Sequence, residues 1–439
     1  MAAEHFDAVV VGAGPAGASA ALVLASAGLS VVLLDRGEFP GAKNMFGGVL
    51  YRHAIEALVG EAWKENGFPV ERVITEQRYW LLGPESMVTV GHRHEAFGRE
   101  PNAWTAFRAR FDPWFAAKAE EAGALGVYQT TAVDLLRDPK TGRVTGVLTD
   151  RDEGELYADV VVIADGVNSL LREKLGLPRW RPDQVSLAVK EVLALPRETI
   201  ESRFNLEGNE GVTIEFLGDT SQGMVGLGFL YTNKESLSLG IGVMIDDLAR
   251  HRIAPYELLE SVKRHPMIRR LIAGAESVEY SAHMIPEGAY DALPPALAGD
   301  GWVLCGDAAG LVNFLNREGT NLAMLSGQMA GQVIAEAHRR GDLSARSLMA
   351  YDRKLRASAI GRDLRKIRRM PSMLHRWGGR RLFGDLVGGV NRAAYRYFLA
   401  DGTPKRQAEA QALREIVRAA GGWRPLMRLA WDGFRGVRG

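Results

Sequence analysis

One stretch, residues 7–35 (DAVVVGAGPAGASAALVLASAGLSVVLLD), constrains the fold more than any other. Residues 7–11 read as a buried strand, the alanine-rich run after Pro15 as a helix, and residues 31–35 as a second buried strand. This is a βαβ unit. Gly12, Gly14 and Gly17 fall in the turn between the first strand and the helix. The first glycine allows the tight turn, the second lets backbone approach a pyrophosphate, and the third lets the helix pack on the strand. Pro15 and Ala16 open the helix, whose N-terminal N–H groups suit a phosphate. Asp35, followed by Arg36, ends the second strand 18 residues after Gly17. Its carboxylate is placed to accept hydrogen bonds from an adenosine ribose. Strand, helix and acid agree on a dinucleotide.

Two later segments repeat the strand-then-turn pattern. LYADVVVIADG, residues 156–166, ends in Ala164, Asp165 and Gly166, and WVLCGDAAG, residues 302–310, carries Gly306 and Asp307. Residues 111–123 read as a helix stopped by Gly123. Between 186 and 245 the character changes to alternating strand-like runs, read as a broad antiparallel sheet. Residues 255–275 read as one or two helices, and residues 320–341 as another. The order predicts an α/β protein: a nucleotide-binding domain interrupted by a sheet domain and closed by a helical tail. The boundaries read as 1–80 with 100–185 and 295–347 for the nucleotide domain, 186–294 with part of 70–100 for the sheet domain, and 348–439 for the tail. A second GxGxxG is absent. The glycines at 226–228 and 240–242 lie inside strand-like runs, so a separate nicotinamide domain is not expected.

With the acid–glycine pairs in place, the set resembles that of glutathione-reductase-type flavoproteins of the p-hydroxybenzoate-hydroxylase kind, which include geranylgeranyl reductases. That resemblance implies FAD, with Asp307 toward the ribityl chain and Arg108 reaching the pyrophosphate. It places the helix start Gly319-Thr320-Asn321 at the flavin ring, where N–H groups favour the negative charge of reduced flavin. Residues 40–51 (PGAKNMFGGVLY), 105–124, 226–244, 280–294 and 306–327 resemble more narrowly the FixC-type relatives of electron-transfer-flavoprotein:quinone oxidoreductase. The match runs through most of residues 5–345. It implies that Lys43, Asn44, Met45, Gly47 and Gly48 lie on the cofactor side, with Gly47 and Gly48 leaving room for the ring. It also implies electrons delivered by the two subunits of an electron-transfer flavoprotein and taken by a membrane quinone, with a flavin-bifurcating complex as one setting. A geranylgeranyl-reductase-like activity on prenyl double bonds is the alternative, and a non-catalytic flavin-bearing scaffold is a rival of another class.

Cys305 is the one cysteine in the chain, which excludes a four-cysteine cluster within it. In larger relatives such a cluster is held near the C-terminus, so the resemblance implies a separate ferredoxin-like, FixX-type subunit. Cys305 itself closes a buried strand and reads as a packing residue. His92 and His94 share one face of a strand without a third ligand in reach, so no metal site is expected. His283 reads equally as a packed histidine or as a proton donor to quinone. Arg317 and Glu318 precede the Gly-Thr-Asn helix start and are candidates for the quinone-side mouth.

Net charge is +1, but it is unevenly spread. Residues 351–439 hold 21 Lys and Arg against 7 Asp and Glu. Within them, Trp423, Leu426, Met427, Ala430, Trp431 and Phe434 recur at helical spacing, with Arg424, Arg428 and Arg435 elsewhere on the wheel. That is an amphipathic helix suited to a lipid interface. Residues 372–398 read similarly, with Leu374, Trp377, Phe383 and Leu386 among arginines. The tail therefore predicts contact with a membrane surface or an acidic partner, and no nucleic acid, since no fold for binding it is present. No apolar run is long enough to span a bilayer. The expected location is the cytoplasmic side, peripheral on the inner face of the cell membrane.

Overall fold

The computed structural model describes residues 4–43 and 48–438, which fall into two units. The first comprises residues 1–70, 106–181 and 285–365; the second comprises 71–105, 182–284 and 366–439.

In the first unit the βαβ reading holds. Strand His5–Val11 lies between Val31–Leu34 and Glu155–Ile163, parallel to both, and Val10 faces Leu33 on one side and Val162 on the other. Leu125–Val127 extends the sheet beyond Val31–Leu34, and Trp302–Leu304 extends it beyond Glu155–Ile163. These strands are apolar almost throughout because helices cover the sheet, as parallel sheets require. Helix Pro15–Ser26 runs with Pro15 in its first turn, where a missing N–H costs nothing. Helix Thr320–Arg339 packs against it without side chains between: a Cβ on Gly327 would stand 2.0 Å from the Ala16 carbonyl oxygen. Helix Ala345–Ala357, the start of the basic region, also belongs to this unit. Its buried Tyr351 donates from Oη to the Leu304 carbonyl at 3.1 Å.

The second unit is built on a twisted sheet. Strands Val185–Ala194, Ser236–Met244, Gly226–Thr232 and Glu210–Gly218 follow one another antiparallel, and their inward residues Val189, Leu239, Leu230 and Ile214 share one core with Trp80 and Leu82. One pairing departs from the expected antiparallel pattern: Glu210–Gly218 runs parallel to Val73–Leu82. These strands lie more than a hundred residues apart in the chain, so no hairpin dictates their direction. The in-strand glycines make room for aromatic rings. A Cβ on Gly228 would fall 1.8 Å from the Phe216 ring, and one on Gly240 would fall 2.3 Å from the Phe229 ring.

Arg72, only 1% exposed, clamps one end of this sheet. Its Nε donates to the Asn233 carbonyl at 2.7 Å, Nη1 to that of Glu210 at 2.9 Å, and Nη2 to that of Lys234 at 3.1 Å. Glu201 supplies the counter-charge at 3.4 Å. A buried guanidinium persists only when its donors are satisfied in this way.

The last five helical segments belong to the second unit: Met370–Trp377, the wide turns of Arg380–Leu386, Val387–Phe398, Lys405–Ala419 and Trp423–Arg438. Leu374, Trp377, Phe383 and Leu386 are half-buried, while Tyr395, Tyr397 and Phe398 at the end of the 372–398 stretch are exposed. The last helix presents a longer outward apolar face, with Trp423, Met427, Trp431 and Phe434 exposed.

Candidate functional site

The site grows from the end of strand His5–Val11. Gly12 has φ +100°, and its N–H donates to the Leu34 carbonyl at 2.7 Å. A Cβ there would stand 2.3 Å from the Ala164 oxygen, so only glycine lets this turn meet the end of the neighbouring strand. Gly17 is equally confined, with its Cβ position 1.8 Å from the Gly12 oxygen. Gly14 differs. The nearest atom to its Cβ position is Nη2 of Arg108, at 3.9 Å. Protein packing demands the outer two glycines, while the middle one faces open space beside a guanidinium. A pyrophosphate approaching the backbone calls for this pattern.

Asp35 is engaged at the same turn. Its Oδ2 accepts from Ala13 N–H at 2.9 Å and its Oδ1 from Gly37 N–H at 2.7 Å. The carboxylate braces the loop, and each oxygen keeps a second lone pair for a ribose hydroxyl. Arg36 and Lys43 are exposed. Asn44, Met45 and Gly47 lie outside the described residues. Gly48 accepts from Ala106 N–H at 2.9 Å, which ties its strand to the segment leading into Arg108.

Arg108 opens helix Arg108–Glu121 and is buried against Asp112, one turn on. The pair is bidentate, Nε to Oδ1 at 2.5 Å and Nη2 to Oδ2 at 2.6 Å. Burial pulls the guanidinium down, and the Asp112 carboxylate, with Asp307 farther off, more than restores it. Sequence reasoning does not single out Asp112, although its i+4 spacing from Arg108 is the signal that finds it.

The turn Gly306–Ala309 closes over the start of the first helix. Gly306 has φ +58°, its Cβ position lies 2.9 Å from Ala16 Cβ, and its N–H donates to Ser326 Oγ at 3.0 Å. Asp307 follows, its carboxyl pushed up to about 6 by burial and partly offset by Arg108. Asp165 ends the adjacent strand and is likewise raised by burial to about 6, despite hydrogen bonds that favour its charged form. Its Cα lies 3.1 Å from the Gly12 Cβ position. Gly166 follows with φ +81°. Gly319 precedes helix Thr320–Arg339, and Asn321 in its first turn is 2% exposed. The Oδ1 atoms of Asp165 and Asn321 are buried without a hydrogen-bond partner. Buried acceptors of this kind are costly unless a donor meets them. Pyrophosphate, ribityl hydroxyls and a flavin ring would meet the cation, the acceptors and the helix start respectively, so the residues fit FAD.

Cys305 sits in this shell but is fully buried, and burial pushes its thiol up to about 12. Such a thiol is no nucleophile at neutral pH. Arg317 takes φ +59° in a tight loop where Asn313 and Glu318 exchange both backbone hydrogen bonds. His92 and His94 stack at 5.9 Å on an exposed strand. Among the described residues, the one group of three side chains with metal-ligand spacing is Asp7, Asp159 and His338, elsewhere in the first unit.

In the second unit the sheet has a second face, opposite its apolar core. Thr213, Glu215, Phe229, Ser238 and Lys190 alternate with the core residues, and all are buried. Lys190 Nζ lies 3.6 Å from Glu279. The two-residue period of GVTIEFLG carries the signal for Glu215, but burial of that face is not visible in a sequence.

Known proteins share this arrangement. An FAD binding domain matches residues 5–201, and the ETF-QO/FixC family C-terminal domain matches residues 370–438. The chain is 46% identical to protein FixC of Bradyrhizobium diazoefficiens, over 100% of its own length and 99% of that relative. It is 40% identical to the probable electron transfer flavoprotein-quinone oxidoreductase YdiS of Escherichia coli strain K12, over 100% and 99%. The solved structure of a geranylgeranyl bacteriochlorophyll reductase-like protein from Thermoplasma acidophilum superposes with a TM-score of 0.74 at 19% identity, covering 95% of this chain and 99% of that one. Likeness at that identity establishes the fold, and it is the one read from the strand-end motifs.

Proposed function

The chain belongs to the ETF-QO/FixC family of FAD-binding oxidoreductases, and from that membership we propose that it takes electrons from an electron-transfer flavoprotein and passes them to a membrane quinone. The observation that carries the reading is the convergence of four separated segments, at Asp35, Arg108, Ala164–Asp165 and Gly306, on the turn that starts the first helix. Gly12, Gly14, Pro15, Ala16 and Gly17 would hold the pyrophosphate, with Arg108 as its cation. Asp35 and Arg36 would take the adenosine ribose. Ala164, Asp165, Gly166, Gly306 and Asp307 would line the ribityl chain. Gly319, Thr320 and Asn321 would meet the flavin ring, with Lys43 and Gly48 toward the cofactor. Bound FAD supplies the redox chemistry, since it accepts and releases one or two electrons.

The protein's own residues position and shield. Asp112 holds the Arg108 fork in one orientation. Asp165 and Asp307, titrating near 6 without cofactor, become settled acceptors once hydroxyl donors reach them. We assign the proton-handling role to Glu215, a buried carboxyl on the polar sheet face, because quinone reduction consumes two protons.

With one cysteine in the chain, an iron–sulfur cluster is assigned to a separate ferredoxin-like subunit. The two electron-transfer-flavoprotein subunits complete a complex in which electrons from one donor divide between two acceptors. No described helix is long and apolar enough to cross a membrane. Contact with the inner face of the cell membrane is assigned to the basic C-terminal helices.

The test is to purify the chain with FAD, reduce it with its electron-transfer flavoprotein, and follow a menaquinone analogue optically. Flavin-loaded protein that reduces no quinone overturns the reading. Saturation of a prenyl substrate without the electron-transfer flavoprotein would move the assignment to a geranylgeranyl-type reductase.

A further inference from the structure

The helix Trp423–Arg438 has two unlike sides. On one, Gly436 backs onto Met370, whose Sδ lies 2.6 Å from the Gly436 Cβ position. On the other, Trp423, Met427, Trp431, Phe434 and Val437 fall within an arc of about 120°, taking about 100° per residue. They are 56%, 65%, 59%, 49% and 38% exposed. Arg424, Arg428 and Arg435 occupy the next sector, along one edge of the stripe. A contiguous exposed apolar stripe on a water-facing helix marks a contact surface.

Beside this helix is an open cleft of about 610 Å³, lined by Trp377, Arg380, Arg381, Asp385, Arg392 and Arg418. Glu415 serves both Arg392 at 3.0 Å and Arg418 at 3.3 Å. Arg381 donates to the Ala420 carbonyl at 2.9 Å and lies 4.7 Å from the Trp377 ring centroid. Arg380 has no acidic partner among the described residues. Four guanidiniums thus meet two carboxylates, Asp385 and Glu415. Gly421 also lines the cleft, two residues before Trp423, so the cleft borders the end of the helix at which the stripe begins. Trp377 Nε1 holds the helix from its other side, donating to Asp432 Oδ2 at 3.1 Å.

A guanidinium cluster with surplus positive charge recognises phosphate through paired N–H donors. A free phosphate satisfies the cleft alone; a phosphate carrying acyl chains satisfies cleft and stripe together. We propose that this cleft is a head-group site for an anionic phospholipid, with the aromatic stripe of the adjoining helix lying in the plane of the membrane interface. The proposal rests on the membrane contact proposed above and names its lipid class and residues.

The test is flotation of the full FAD-loaded chain with vesicles of phosphatidylcholine alone and of phosphatidylcholine with phosphatidylglycerol. The parent is expected to prefer the anionic vesicles. Removing a surface cation weakens such binding about five-fold. Arg380→Gln with Arg418→Gln is therefore expected to bind anionic vesicles about 25-fold more weakly, with neutral-vesicle binding, FAD content and melting temperature unchanged. Trp431→Ser with Phe434→Ser is expected to lose binding to both vesicle types. Equal binding of parent and arginine variant to anionic vesicles overturns the site. So does saturable binding of inorganic phosphate without vesicle preference, which marks a free-anion cleft. Loss of electron-transfer-flavoprotein copurification with vesicle binding intact also overturns it, in favour of protein docking. A water-soluble quinone analogue, assayed without vesicles, separates the two readings: no reduction there sinks the quinone assignment and leaves the lipid site standing.

Discussion

Asp307→Asn in the FAD-free protein should be stabilising, by an amount that grows with pH. Burial raises the Asp307 carboxyl from 3.8 to about 6, even with Arg108 nearby. Between those values the folded chain holds a proton that the unfolded chain has released. Folding stability therefore falls as pH rises through this window and is level above it. Each pH unit of that window is worth about 1.4 kcal/mol, so the full penalty of the ionised carboxylate is about 3 kcal/mol at pH 8 and about 1.6 kcal/mol at pH 5. Asn carries no charge at either pH. The variant's advantage over the parent should thus increase by about 1.4 kcal/mol from pH 5 to pH 8, whatever constant offset the amide introduces. Urea unfolding of the flavin-stripped proteins at the two pH values measures it. With FAD present the order should reverse, because the variant loses a charged acceptor for the ribityl hydroxyls, and flavin affinity should fall about ten-fold, one charge-assisted hydrogen bond's worth. A pH-independent difference, or an advantage that shrinks from pH 5 to pH 8, would refute the assignment of Asp307 as a buried carboxyl waiting for a donor.

Arg72→Ala should cost about 3–5 kcal/mol, because it strands several carbonyls and Glu201; Arg72→Lys should recover only part, since one ammonium cannot reach carbonyls on both sides. Chemical denaturation of the two variants checks this, and a loss under about 1 kcal/mol would contradict the clamp. Cys305→Ala should retain electron transfer, and native parent protein should resist iodoacetamide at neutral pH because the buried thiol titrates at about 12; rapid alkylation of folded protein would count against it. Glu215→Gln should slow quinone reduction by about 100-fold or more, the usual share of a proton donor, while the rate of flavin reduction by the electron-transfer flavoprotein stays the same. Stopped-flow measurement of both half-reactions decides, and an equal loss in each would mean a packing role.

The local rules of the chain were readable without coordinates. The Gly12–Gly17 turn, the acid at the end of the second strand and the two later strand-end turns are short-range patterns whose geometry follows from backbone sterics and hydrogen bonding. The amphipathic spacing of Trp423 to Phe434 is likewise a property of consecutive residues. Burial and partnership were not readable, because they depend on segments far apart in the chain. The i+4 spacing offers Asp112 as a partner for Arg108, but nothing near Arg108 says that Asp307 also faces it, or that Gly306 rests on Ala16. Leu374, Trp377, Phe383 and Leu386 look like the apolar set of 423–438 as spacing, yet the first set turns half inward and the second outward. Their difference comes from which neighbouring helices arrive. Nor does alternation in Glu210–Gly218 reveal that both faces are buried, one by the apolar core and the other around Thr213 and Glu215. A pattern of residues dictates which elements form; the free energy of desolvating Asp165, Asp307 and Cys305 is decided by what the rest of the chain places over them.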